Sequence, residues 1–130
     1  MRATVHPART ADDLPRMPAP AITNALTIDV EDYFQVSALA PYIARSGWDA
    51  QACRVERNVE RILQMLARHG VRATFFTLGW IAERYPPLVR SIVAQGHELA
   101  SHGHAHERAS ELDRAAFRQD VERAKKLLED

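Results

Sequence analysis

The chain is 130 residues long, about the size of one domain. Its 17 Lys and Arg residues balance 17 Asp and Glu residues, which argues against a nucleic acid or an anionic membrane as a partner, because both favour a basic excess. No apolar stretch is long enough to span a bilayer, and the single cysteine, Cys53, cannot form an internal disulfide.

The first 23 residues have the composition of a tail. Four prolines interrupt them, and charged residues such as Arg9 and Asp12 break up any apolar core. Such a segment cannot bury enough apolar surface to fold, so we expect residues 1–23 to be disordered. The segment also lacks the central hydrophobic stretch of a secretory signal peptide, which predicts a cytoplasmic protein.

From residue 24 onward, strand patterns and helix patterns alternate. Residues 25–28 form a short apolar, β-branched run that stops at acidic residues, as in a buried strand. The connection 32–53 has no steady period, and loops of this length in compact domains are often functional. A helix is predicted after it, because apolar residues recur at helical spacing from Val55 to Leu66 and Gly70 can end the helix in the left-handed conformation.

The second half of the chain repeats this alternation. Residues 71–77 predict a second strand, residues 79–85 a short helix, and residues 97–101 a third strand. Between the last two, Pro86 suits the first turn of another helix, which Gly96 would end.

A last helix is predicted to begin near Asp113. Its apolar stripe is predicted to comprise Phe117, Val121, Ala124 and Leu128. Strands that alternate with helices indicate parallel β-α-β units. Three parallel strands make a thin open sheet that would leave helix faces and strand edges uncovered. The pattern therefore predicts the front part of a larger α/β domain.

Residue types that bind metals follow two of the predicted strands. Asp29 and Glu31 lie at the end of the first strand, and His102 lies just past the end of the third. Reactive groups collect at the carboxyl ends of the strands in parallel α/β folds, so these side chains can meet on one face of the sheet. Because carboxylate oxygen and imidazole nitrogen are ligands for divalent metals, the two segments predict a metal-dependent hydrolase.

Histidines crowd the segment after the third strand. His102 and His106 are four residues apart, so a helical turn would place both rings on one side, with His104 as a neighbour. An extended segment would instead put all three rings on one face. We favour the turn because Gly103 interrupts a strand. His97 begins its strand at the opposite end, and we expect it to be structural.

Several motifs resemble the polysaccharide deacetylase family, also known as the NodB-homology or carbohydrate esterase family 4 domain. The family's Thr-Phe-Asp-Asp motif is similar to residues 27–32, and its His-Ser/Thr-x-x-His motif is similar to residues 102–106. Residues 72–76 and the Gly-His-Glu-Leu sequence at 96–99 are also typical of the family. The fuller string at 26–36 is similar to the deacetylases found beside exosortase and exopolysaccharide gene clusters in Gram-negative bacteria.

The resemblance implies a distorted barrel of alternating strands and helices, of which residues 24–130 would form the N-terminal part. It implies a divalent metal, commonly zinc, and removal of acetyl groups from an N-acetylated glycan. By the resemblance, His102 and His106 are metal ligands, and Asp29 is the general base that takes a proton from the attacking water. The family's later motifs, including a His that protonates the leaving amine, have no counterpart among these residues.

Two positions depart from the family's motifs. The metal-binding Asp of the family usually follows the base directly, but Val30 stands there. A branch of the family spaces the pair by one residue, which nominates Glu31 as the carboxylate ligand, with Asp32 as the alternative. Strand alternation places Asp29 and Glu31 on the same side and favours Glu31. Gly103 stands where the family often has Ser or Thr, which predicts a lost supporting hydrogen bond but a retained metal.

Other functions and roles fit the same residues. The site could hydrolyse a small amide or a cyclic imide, as in the allantoinase-like branch of the family. The chain could also be an inactive truncated remnant that binds a metal or a partner. Three aromatic residues of the 32–53 connection could stack on a sugar ring or simply pack within the loop: Tyr33, Phe34 and Trp48.

Overall fold

The computed structural model describes residues 23–129 as a three-stranded sheet with four α-helices. The strands are β1 (Thr27–Val30), β2 (Thr74–Thr77) and β3 (Glu98–Ser101). The helices are α1 (Val55–His69), α2 (Gly79–Arg84), α3 (Pro86–Ala94) and α4 (Arg114–Glu129). Apart from residue 23, the tail expected to be disordered lies outside the described residues.

The three strands are parallel and follow one another in the sheet in the order β1-β2-β3. Asp29 is opposite Phe76 in the β1–β2 ladder, and Phe76 is opposite Ala100 in the β2–β3 ladder. Helices connect the parallel strands, because such a crossover needs a long connection over one face. The predicted α/β class, with about three parallel strands, is confirmed.

Two strand boundaries differ from the prediction. β1 begins at Thr27 and continues through Val30, so Asp29 lies within the strand and not after it. An acidic residue is tolerated there because its side chain lies on the exposed face of the sheet. β2 begins only at Thr74, since the backbone N–H of Val71 instead donates to the Leu66 carbonyl and closes the end of α1.

The core lies on the face of the sheet that the helices cover. Alternate strand residues point into it, and Val30, Phe75 and Thr77 are completely buried. Helix α1 contributes its predicted apolar face: Val55, Val59, Leu63 and Leu66. It ends, as predicted, at Gly70 in the left-handed conformation (φ 62°). This arrangement leaves the carboxyl ends of the strands free to carry other side chains.

The predicted apolar stripe of α4 is partly wrong. Ala124 is buried, but Phe117 and Val121 are 46% and 40% exposed. The helix is rotated so that Asp120 reaches the backbone after β3 and Ala124 lies close to Gly79. A polar contact and a close backbone approach therefore decide which face of α4 is turned inward. In the described part of the chain, no helix is both long and apolar enough to cross a membrane.

The connection from β1 to α1 folds into short 3-10 helices over residues 33–35, 37–39 and 45–50. Phe34 and Trp48 are 1% and 4% exposed. The ring centroids of Phe34, Trp48 and Trp80 all lie within 6.0 Å of one another. Packing therefore accounts for the burial of these two aromatics.

Candidate metal centre

The carboxyl edge of the sheet brings together one acidic and two histidine side chains. Glu31 directly follows β1, and His102 directly follows β3. The backbone N–H of His102 donates to the carbonyl of Thr77 at the end of β2 (3.0 Å), which continues the parallel ladder by one bond. The sheet therefore fixes where both side chains leave the backbone, although they are far apart in sequence.

Glu31, His102 and His106 offer ligand atoms that all lie within 4.8 Å of one another. The Oε2 atom of Glu31 is 3.1 Å from Nε2 of His106 and 3.8 Å from Nε2 of His102. The two imidazole rings are 5.0 Å apart, centroid to centroid. Ligands that are each about 2.0–2.1 Å from a tetrahedral zinc ion lie about 3.3 Å from one another. The spacing of this cluster fits such an ion.

Two atoms of the cluster are buried without a hydrogen-bond partner among the described residues. They are Oε2 of Glu31 and Nε2 of His102. An unsatisfied buried acceptor is costly, and native structures rarely contain one without a reason. A cation held between carboxylate oxygen and imidazole nitrogen would satisfy both atoms. The residues present therefore fit a divalent metal by spacing and by donor type.

The segment from His102 to His106 is a bend and not a helical turn, so the predicted local conformation is wrong. The expected outcome nevertheless holds, since both rings lie on one side. Gly103 adopts φ +74°, and His106 has a φ of 53°, which is rare for a residue with a side chain. The loop reaches this shape through contacts with the rest of the fold, because neither a helix nor a strand would produce it.

His104 points away from the ligand atoms. It is buried, and its Nε2 is 3.6 Å from Oε2 of Glu83. Burial lowers the pKa of His104, the cation of Arg123 lowers it further, and Glu83 opposes both effects. His104 therefore packs between helices α2 and α4 as a neighbour of the site.

The carboxylate of Asp32 binds backbone N–H groups, unlike that of Glu31. It is 4% exposed, and its carboxylate accepts hydrogen bonds from the backbone N–H groups of Tyr33 (2.9 Å), Arg54 (2.5 Å) and Val55 (2.9 Å). These bonds occupy both carboxylate oxygens and join the start of the connection to the start of α1. The geometry therefore favours Glu31 over Asp32 as the carboxylate ligand.

Asp29 lies two residues before Glu31 on β1 and is exposed on the open face of the sheet. It is not one of the clustered ligand residues. Its assignment as the general base stays a prediction. His97 lies at the other end of β3, where its Nδ1 accepts the backbone N–H of Ala73 (3.2 Å), which is the structural position expected for it.

A cavity of about 550 Å³ borders His106. Side chains of the β1–α1 connection and of the segment after His106 line it, including Gln35, Arg45 and Arg108. Arg45 forms an ion pair with Glu107 (2.5 Å) across this cavity wall. Sequence patterns did not single out these residues, since no periodicity links positions that are about 60 residues apart.

The chain matches the family model described as polysaccharide deacetylase over residues 42–130. It is 48% identical over 62 residues to the chitooligosaccharide deacetylase of Sinorhizobium fredii, covering 48% of this chain and 27% of that protein. It is 32% identical over 68 residues to a peptidoglycan-N-acetylglucosamine deacetylase of Bacillus cereus, covering 52% of this chain and 25% of that protein.

A crystal structure from Mycobacterium smegmatis, described as a polysaccharide deacetylase, superimposes with a TM-score of 0.64 and 32% identity. The match covers 81% of this chain and 37% of that one. The matched segments thus span about a quarter of the length of these two curated relatives and just over a third of the Mycobacterium smegmatis protein. The parallel sheet and the match of most of the sequence agree, and the chain belongs to the polysaccharide deacetylase family.

Proposed function

We propose that this chain carries the metal centre of a deacetylase that removes acetyl groups from an N-acetylated polysaccharide. Glu31, His102 and His106 would hold one divalent cation, with zinc as the expected ion. The observation that carries the proposal is the convergence of their ligand atoms at the carboxyl edge of the sheet, with two of these atoms buried and unpartnered.

Each residue has a distinct chemical role in this proposal. A bound cation would polarise the acetamide carbonyl and stabilise the negative charge that develops on its oxygen. Neutral imidazoles from His102 and His106 would hold the cation without cancelling its charge, and Glu31 would supply one negative oxygen. Asp29, two residues before Glu31 and within β1, would accept the proton of the attacking water.

The cavity beside His106 supports an oligosaccharide substrate. Its volume of about 550 Å³ lies in the range of small-molecule sites, and Arg45 and Arg108 bring hydrogen-bond donors to its wall. Two relatives are named as deacetylases of chitooligosaccharides and of the N-acetylglucosamine of peptidoglycan, and both substrates contain acetylated amino sugars. We propose N-acetylated hexosamine units as the substrate class.

Zinc binding and acetate release by the purified chain test the proposal. We expect one zinc ion per chain, loss of tight zinc binding in Glu31→Gln, and full binding in the control Glu83→Gln, whose carboxylate lies outside the cluster. Asp29→Asn should keep the zinc but lower acetate release from chito-oligosaccharides at least 100-fold. Undiminished zinc in Glu31→Gln would remove that residue from the site.

The same assay separates the other functions. Turnover of a small cyclic imide without turnover of chito-oligosaccharides would favour the small-amide alternative. Stoichiometric zinc without acetate release from any substrate would favour a remnant that binds the metal only. A chain without a cooperative melting transition would favour a remnant that does not fold alone.

The string at residues 26–36 supports a narrower proposal, in which the natural substrate is an exopolysaccharide. Removing the gene should then raise the acetyl content of the secreted polymer, as measured by proton NMR. Re-expression of the wild-type gene should restore it, whereas the Asp29→Asn gene should not. An unchanged acetyl content in the deletion strain would contradict this assignment.

A further inference from the structure

Helix α4 reaches the histidine segment through a single carboxylate. Oδ2 of Asp120 accepts the backbone N–H of His104 (2.8 Å), and Oδ1 accepts the backbone N–H of Ala105 (3.0 Å). These two peptide groups lie between His102 and His106. One side chain thus holds the middle of the segment whose two ends carry the imidazole ligands.

The opposite side of the same peptides is held by helix α2. The backbone N–H groups of Gly79 and Trp80 donate to the carbonyls of Gly103 (2.8 Å) and His104 (3.1 Å). These N–H groups belong to the first turn of α2, where no partner within the helix is available. The histidine segment is therefore clamped between the N-terminus of α2 and the carboxylate of α4.

Gly103 makes room for this clamp. A Cβ atom at position 103 would lie 2.7 Å from Oδ2 of Asp120, closer than such atoms approach one another. The φ of +74° also disfavours any other residue there. The absence of a side chain, where the family often has Ser or Thr, thus coincides with a carboxylate that approaches from another helix.

We infer that Asp120 is a positioning residue for the proposed metal centre. It fixes the backbone of His104 and Ala105, and through them it sets the direction of the His102 and His106 rings. The backbone conformation of His106, with φ 53°, is one that the segment would not adopt alone, and such conformations persist only where surrounding contacts enforce them. This inference rests on the proposed function, because it concerns the same ligand residues.

The chemistry of a carboxylate explains why Asp is needed at this position. Its two oxygens accept one N–H each, and both bonds are strengthened by the negative charge. An Asn side chain has one oxygen and one NH2 group, so one of the two backbone N–H groups would face a donor. Asp120→Asn therefore keeps the size of the side chain but removes half of the clamp.

Metal affinity tests the inference. We expect Asp120→Asn to raise the zinc Kd about 10- to 100-fold, as for other residues that orient metal ligands. The absorption spectrum of the cobalt-substituted chain should also change, because it reports the geometry of the ligands. An unchanged Kd and an unchanged spectrum in Asp120→Asn, with zinc bound normally by the wild type, would overturn the inference.

Two controls on α4 separate positioning from stability. Glu122→Gln removes an exposed carboxylate two residues away and should leave both the zinc Kd and the melting temperature unchanged. Glu122→Gly should weaken the helix without touching the clamp, and thus lower the melting temperature while the zinc Kd stays within about twofold. A Kd raised as much in Glu122→Gly as in Asp120→Asn would reduce Asp120 to a structural role.

A measurement on the unmutated chain guards against a variant that fails to fold. In metal-free wild type, the amides of His104 and Ala105 should exchange their protons slowly, because Asp120 holds both. Exchange as fast as in an unstructured peptide would overturn the inference without any variant. A wild type that binds no zinc but shows slow exchange at both amides would contradict the proposed function while leaving the hold of Asp120 on the segment intact, so the two failures are distinguishable.

Discussion

Two of the connections at the carboxyl edge of the sheet carry residues of the candidate metal cluster, and each is held by a carboxylate that accepts backbone N–H groups. After β1, Glu31 joins the metal-ligand cluster while Asp32 accepts three backbone N–H groups. After β3, two histidines join the cluster while Asp120 accepts two backbone N–H groups. For both connections, one group belongs to the candidate metal cluster and another holds the loop.

The two connections differ in where the holding carboxylate comes from. Asp32 is adjacent to Glu31, and its bonds also anchor the start of α1. Asp120 comes from a helix that begins eight residues after His106, so it acts only once α4 has docked. We therefore expect loss of Asp32 to affect the whole fold, and changes around Asp120 to act mainly on the histidine segment.

The largest effect should follow Asp32→Ala, which removes the acceptor for three backbone N–H groups. Hydrogen bonds to a charged group contribute about 1.5–3 kcal/mol each, and removing one partner leaves buried donors unsatisfied. We expect the free energy of unfolding, measured by urea denaturation, to fall by about 3 kcal/mol or more. Glu56→Gln, an exposed carboxylate in the first turn of α1, should cost only about 0.5 kcal/mol. Equal losses of unfolding free energy in the two variants would contradict the expectation that Asp32 stabilises the whole fold.

A smaller effect should follow Gly103→Ala, which adds a methyl group against Asp120. Gly70→Ala is the matched control, since Gly70 has a similar positive φ but no atom within 4 Å of the added Cβ. We expect a cost of about 1 kcal/mol in unfolding free energy for Gly70→Ala and about 2 kcal/mol for Gly103→Ala. Only Gly103→Ala should also weaken zinc binding. If both variants cost the same and bind zinc equally, the contact with Asp120 does not restrict position 103.

The smallest effect should follow Glu83→Gln, at an exposed contact between α2 and α4. Both carboxylate oxygens of Glu83 lie 3.1 Å from Arg123, and such exposed pairs contribute about 0.5 kcal/mol. Burial alone would raise the pKa of Glu83, but Arg123 and His104 lower it below the usual glutamate value of 4.5.

A lowered carboxyl pKa means that this contribution is present above pH 4.5 and is lost as the pH falls through the folded-state value. The melting temperatures of wild type and Glu83→Gln should therefore differ slightly at pH 7 and converge below pH 4. A difference that grows on acidification would contradict this sign. The result would also show how little an exposed contact between α2 and α4 contributes compared with the clamp formed by Asp120.

Much of the fold could be predicted from local patterns. The apolar spacing of α1 and the glycine after it gave that helix within a few residues, and the alternation of strands and helices gave the parallel sheet. The strand boundaries were less accurate, because a strand lasts as long as its neighbour offers backbone partners. Apolar composition alone does not show how long a strand is. The sequence therefore predicted that β1 ends before Asp29, whereas Asp29 lies within the strand.

The metal cluster could be anticipated only in part. Residue type and position after a strand identified Glu31, His102 and His106 as candidates, and strand alternation favoured Glu31 but did not rule out Asp32. The structure supports the same choice, because the Asp32 carboxylate accepts the backbone N–H groups of Arg54 and Val55. Similarly, the exposed side chains of Phe117 and Val121 show that helical periodicity does not determine which face of α4 is turned inward when a part-buried carboxylate contact competes.

The sequence by itself determined the kind of protein: the order of strands and helices, the residue types that can bind a metal, and the motifs of a polysaccharide deacetylase. Only the tertiary structure decided which carboxylates hold backbone N–H groups around the two imidazoles. The physical reason is that hydrogen-bond partners such as Asp120 and the N–H groups of His104 and Ala105 are selected by the docking of helices, which leaves no local pattern in the chain.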